Sequence, residues 1–134
     1  MSQMMELYKC PSTGDVVEVT HAGESAEGTI CTGEESACPW RRLPEKIEEK
    51  GLQEKHVPVI ERSGEGIKVK IGSIPHPMLP EHHIEWVEVR QGPYFFLRQL
   101  DPTGPPEADF PWVSDTDAKV RIYCNIHELW TNKK

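Results

Sequence analysis

The sequence lacks an excess of positive charge: 15 Lys and Arg stand against 22 Asp and Glu, a formal net charge of −7 at pH 7. A surface of that sign repels nucleic acid and anionic membranes, so neither is expected as a partner. The chain also lacks an apolar run long enough to cross a bilayer, and residues 1–20 lack the basic-then-apolar pattern of an export signal. A cytoplasmic location is the expectation. No low-complexity tract interrupts the 134 residues, a length that suits one ordinary domain or one domain with a small appendage. Cysteines are few: Cys10, Cys31, Cys38 and Cys124. Without an export signal, metal ligation or redox chemistry is a better expectation for them than a pair of disulfides.

Turn formers are plentiful, with 12 prolines and 10 glycines, and they favour an all-β architecture. Residues 1–38 read as a small β-rich unit with strands at "LYKC", "VVEVT" and "GTICT". That unit has too few large apolar residues to stabilise itself by burial, so a metal, a disulfide or a partner chain is expected. Residues 39–53 read as a linker with one or two helical turns, and residues 54–134 as the main domain. There "HVPVIER" and "IKVKIG" flank "SGEG", a hairpin signal. "IEWVEVR" alternates, "PYFFLRQL" follows a "QGP" turn, "DPTGPPEADFP" reads as a long proline-rich loop, and "AKVRIYC" as the last strand. Short strands at this spacing predict an antiparallel sandwich. Trp86, Phe95, Phe96, Tyr123 and Trp130 are predicted to pack the core.

Histidine is also scarce, yet three of the six fall within residues 76–83, between and beside Pro75, Pro77 and Pro80. Proline spoils helices and interrupts strands, so local folding does not account for the cluster. His56 begins a strand, His76 and His82 flank the proline-rich loop, and Cys124 and His127 form a C-x-x-H pair on the turn after "AKVRIYC". Such a turn can aim sulfur and imidazole at one ion. Structural zinc is the natural first reading, and ligand types alone do not separate zinc from iron.

Four motifs, "EKHVPVIE", "GSIPHPM", "EHHIEW" and "YCNIHELW", resemble in order and spacing the iron-binding domain of the superoxide reductases, the desulfoferrodoxin and neelaredoxin family. The resemblance implies an immunoglobulin-like, seven-stranded antiparallel sandwich. It implies one non-haem iron per chain, held by His56, His76, His82 and His127 with Cys124 as thiolate. It implies one-electron reduction of superoxide to hydrogen peroxide, with Lys55 guiding superoxide and helping to protonate the product and Glu54 closing the sixth position of the ferric ion. His83 points to the opposite face from His82 in an extended chain, and the family commonly has tyrosine there, so His82 is assigned to iron. The usual electron donor in the family is rubredoxin-like.

The two-iron members carry a desulforedoxin-like head that binds a second iron through C-x-x-C and an adjacent Cys-Cys pair. "YKCPSTGDVVEV" matches that head, with Thr13 where the second cysteine belongs and Thr32 beside Cys31. A hydroxyl is a poor replacement for a thiolate on iron. A metal-free head with a Cys10–Cys31 disulfide or free thiols is therefore expected, serving as a dimerisation element in a homodimer. The alternative is a new site made by Cys10, Cys31, Cys38 and His21. For the chain as a whole, the competing readings are a zinc-loaded or electron-transfer module without catalysis, and a sandwich used for protein contacts alone.

Overall fold

The computed structural model describes residues 4–23 and 40–134. The chain divides into two compact units, Met1–Pro44 and Glu45–Lys134. No helix among the described residues is long and apolar enough to cross a membrane.

In the first unit, β1 (Leu7–Lys9) pairs antiparallel with both β2 (Val16–Glu18) and β3 (Arg41–Arg42). Leu7, Tyr8 and Cys10 are buried. The turn from β1 to β2 is closed by Cys10 N donating to the Asp15 carbonyl (2.9 Å) and Gly14 N to the Cys10 carbonyl (2.8 Å). The Thr13 hydroxyl donates to the Asp15 carboxylate at 3.1 Å and accepts from Asp15 N at 3.2 Å. Thr13 is thus occupied in holding the turn. Cys10 is disulfide-bonded and offers no thiolate to a metal. The expected strand at "GTICT", and the roles expected of Cys31 and Cys38, lie outside the described residues.

The second unit is an antiparallel sandwich of seven strands. The strands are β4 (Pro58–Ser63), β5 (Gly66–Ile71), β6 (Ile84–Gln91), β7 (Tyr94–Gln99), β8 (Glu107–Phe110), β9 (Lys119–Cys124) and β10 (Glu128–Thr131). One sheet has the order β10-β9-β6-β7 and the other β4-β5-β8. Ile67, Val69 and Ile71 of β5 meet Val87 and Val89 of β6 and Val120 and Ile122 of β9 in the core between the sheets. Each such side chain contributes roughly 1.5–3 kcal/mol by leaving water.

Several sequence expectations need correction. The proline-rich segment contains β8, whose partner is the central strand β5. Pro106 and Pro111 bracket it, and proline is tolerated at the ends of an edge strand. The segment after the C-x-x-H turn is likewise a strand, β10, fully paired with β9. Phe95 is not core: it is 45% exposed on the edge strand β7, and Trp86 is only half-buried. The cause for Trp86 is a bulge, since the β6–β9 register shifts between Ile84 and Trp86. One extra residue lets Ile84 and Val87 both face the core and turns Trp86 outward, where it stacks on Tyr123 (centroids 5.9 Å apart).

Candidate metal centre

Strand register brings the histidine motifs to one end of the sandwich. Pro58 opposes Ile71, so the start of β4 adjoins the end of β5. Ile84 and Glu128 both oppose Cys124, so the starts of β6 and β10 adjoin the end of β9. His56 closes the short helical turn α1 (Gln53–His56) just before β4. His76 follows β5, His82 precedes β6, and Cys124 ends β9 with His127 on the turn into β10.

The four rings make a square. Neighbouring centroids are 4.6 Å apart for His56–His76, 4.7 Å for His76–His82, 5.2 Å for His82–His127 and 4.8 Å for His127–His56. Across the middle, His56 and His82 are 6.5 Å apart. A tetrahedral set would show a single spacing, whereas here the diagonal exceeds every side. The ring nitrogens that face inward are close: His56 Nε2 lies 3.2 Å from His76 Nε2 and 3.1 Å from His127 Nδ1. Nitrogens about 2.1 Å from one ion and at right angles to each other lie about 3.0 Å apart, so the set fits a metal. Cys124 Sγ is 3.5 Å from His76 Nε2 and 3.8 Å from His127 Nδ1. One ligand atom from each of His56, His76, His82 and Cys124 lies within 4.8 Å of all the others.

The outward nitrogens explain the ring orientations. Backbone carbonyls only accept, so His56 Nδ1–H donates to the Leu52 carbonyl (2.8 Å) and His76 Nδ1–H to that of Pro77 (2.6 Å). Each bond leaves the Nε2 lone pair facing the centre. His82 Nε2 is buried with no hydrogen-bond partner, as expected of a donor atom awaiting an ion. His83 is held elsewhere: its Nδ1 meets the Leu79 carbonyl at 2.9 Å, and its backbone N–H donates to Asn125 Oδ1.

Burial sets the protonation states. It holds His56 and His76 down to about 4, against the carbonyl bonds that pull the other way. It also lowers His82, with His127 adding to the effect. Burial raises the Cys124 thiol, opposed by the N–H groups of His127 and Ile126. The His56, His76 and His82 rings are therefore held neutral and ready to ligate, and a cation bound there would displace the thiol proton. The metal-free protein is expected to lose stability as the pH falls from 6.5 towards 4, the interval between the ordinary and folded values of His56 and His76. Below 6.5 the unfolded chain binds protons that the folded chain refuses. The stability is complete above that pH and falls by up to about 3 kcal/mol for each ring. Thermal melts across this range test it, and a flat melting temperature between pH 6.5 and 4.5 contradicts it.

Glu54 and Lys55 are exposed beside His56, and the Lys55 charge acts on the His82 ring. The turn after β5 holds them there. The Glu54 carbonyl accepts from Ile74 N (3.0 Å) and Ser73 Oγ (3.3 Å). Gly72, at φ +87°, lets the backbones approach: a Cβ there would lie 2.7 Å from Lys55 Cα.

A family model described as Desulfoferrodoxin matches residues 48–133, well over half of the chain. The chain belongs to the desulfoferrodoxin family. Family resemblance extends beyond that domain. A desulfoferrodoxin homolog of Archaeoglobus fulgidus is 43% identical over 97% of this chain and 98% of its own length. A superoxide reductase of Pyrococcus horikoshii is 41% identical over 60% of this chain and 85% of its own. The crystal structure of the superoxide reductase from Treponema pallidum matches with a TM-score of 0.66 and 30% identity, covering 98% of each chain. What the sequence reading missed is Lys46, which lies just before the residues that match the desulfoferrodoxin model, outside the four motifs, and carries no local signal.

Proposed function

We propose that the chain is a superoxide reductase, reducing superoxide to hydrogen peroxide at one iron held by His56, His76, His82, His127 and Cys124. The square of four imidazoles with a sulfur beside two of them carries the reading, because structural zinc takes four tetrahedral ligands. Iron bound there supplies the electron that, with two protons, converts superoxide to peroxide.

The chain's own residues do the rest. Four neutral imidazoles and one thiolate leave a ferrous site with a positive charge, so a small anion is drawn in although the chain carries −7. Cys124 is fully enclosed, while His82 and His127 are only half-buried, so substrate reaches the rings from their edge. The enclosed Cys124 sulfur would be the strongly electron-donating ligand of an iron held there. Lys55 adds an attractive charge where the anion enters and holds a proton for the product. Glu54 offers a hard carboxylate that suits the ferric state. Residues 1–38 serve as a metal-free desulforedoxin-like head and residues 54–134 as the iron domain, with residues 39–53 carrying the chain from one to the other. The protein acts as a homodimer in the cytoplasm, with a rubredoxin-like donor reaching the iron directly.

The test is metal analysis and a visible spectrum of the oxidised protein, with superoxide added after reduction. About one iron per chain, a band that bleaches on reduction and returns with superoxide, and peroxide without dioxygen are expected. About two irons would give the head a metal. Zinc with no band even after ferrous reconstitution would mean a structural module. Lys55→Ala is expected to slow the second-order reaction about tenfold at low salt and to flatten its salt dependence; an unchanged low-salt rate removes Lys55 from the reaction. Glu54→Ala should leave reduction nearly intact.

A further inference from the structure

Lys46 stands outside the ligand motifs, yet its contacts converge on the metal centre. Its backbone is fastened to β10 on both sides: Lys46 N donates to the Leu129 carbonyl (3.1 Å), and Thr131 N donates to the Lys46 carbonyl (2.9 Å). From that anchor its Nζ donates to the carbonyl of His127 at 3.2 Å. Trp130 Nε1 donates to the same oxygen at 3.0 Å. Two donors on one carbonyl fix the peptide from which the His127 ring projects. The ammonium also lies 5.7 Å from the centre of the Trp130 ring, and that ring stacks on His56 at 4.7 Å.

This ammonium pairs with Glu49, whose carboxylate is 2.8 Å away. An exposed i,i+3 ion pair would be energetically minor. This lysine is only 18% exposed, whereas Glu49 is 40% exposed. The cation is thus turned inward and its counter-charge outward. The Lys46 charge is felt at both His56 and Cys124.

We propose that Lys46 is a positioning residue of the metal centre: with Trp130 it fixes the His127 turn, and with Glu49 as counterweight it sets the charge around the metal. The inference rests on the reading of His127 and Cys124 as iron ligands. A fixed cation beside the site favours the less positive, ferrous state, and a carboxylate favours the ferric state. A loosened His127 peptide would let its imidazole leave the metal more readily.

The experiment uses the iron-loaded full chain with Lys46→Met, Lys46→Arg and Glu49→Gln. Reduction potential, the visible thiolate band and iron release to a chelator are read, beside melting temperatures of the metal-free forms. Lys46→Met is expected to release iron about tenfold faster and to lower the potential. Glu49→Gln should raise the potential without speeding release, and Lys46→Arg should restore both values towards wild type. A Lys46→Met protein with wild-type potential and release overturns the proposal. Should that variant not fold, an unmoved potential in Glu49→Gln overturns it instead. A wild-type chain that holds no iron, or iron without a thiolate band, overturns the underlying iron reading, a failure visible before any variant is made.

Discussion

Replacing Cys124 with serine is expected to cut the rate of superoxide reduction by at least about a hundredfold while the sandwich stays folded. Cys124 is fully enclosed at the end of β9, and serine fills nearly the same space. Its sulfur accepts the His127 backbone N–H at 3.3 Å, a bond that a serine oxygen can also accept. Local structure is therefore preserved and the change is electronic. A thiolate is a soft, strongly donating ligand, and a hydroxyl is neither easily deprotonated nor comparably donating. The visible band should vanish, whereas iron content falls less, because four imidazoles remain. The measurement is pulse kinetics with superoxide beside the spectrum and iron analysis. A serine variant that kept band and rate would show that the sulfur is not bound to iron.

The largest effect on stability is expected from the pair Glu88 and Arg121, which oppose each other across β6 and β9. Arg121 Nε and a terminal nitrogen donate to the two Glu88 oxygens at 2.8 and 3.0 Å, and both side chains are at most 3% exposed. Arg90 adds a further bond to Glu88 at 3.2 Å, and Glu45 lies 3.8 Å from Arg121. Removing one partner of such a pair strands a buried charge, so Glu88→Ala is expected to cost roughly 3–5 kcal/mol in denaturant unfolding. Replacing both residues with methionine should recover most of the loss, because the desolvation penalty disappears with the charges. Arg121 and Cys124 project from opposite faces of β9, so iron content per folded chain should not change. A Glu88→Ala chain within 1 kcal/mol of wild type, by the same principle, would mean that the pair is solvated in practice.

Much of the second unit was legible because its elements are local. The β4–β5 hairpin follows from "SGEG" between two alternating runs, and the C-x-x-H turn places Cys124 and His127 within one loop. β8 was not legible, because four residues between prolines become a strand only when β5 offers them a partner. The bulge in β6 was hidden for a similar reason. A period-two pattern does not reveal an extra residue that only the pairing with β9 accommodates. Phe95 looked like core because aromatic residues usually are, and nothing local marks β7 as an edge.

The sequence by itself determined the inventory at the metal centre: the residue types, their spacing and a sandwich able to carry them. It did so because ligand chemistry is local to each side chain, and hairpin periodicity is local to each pair of strands. Tertiary structure decided the rest. Strand register gathered the ends of five strands at one end of the sandwich, hydrogen bonds donated to the Leu52 and Pro77 carbonyls chose which nitrogen of His56 and His76 faces inward, and packing turned His82 rather than His83 to the centre. It also brought Lys46 across to the His127 carbonyl, 81 residues along the chain. Charge and hydrogen bonding act through space, and the order of residues does not record which distant groups will share it.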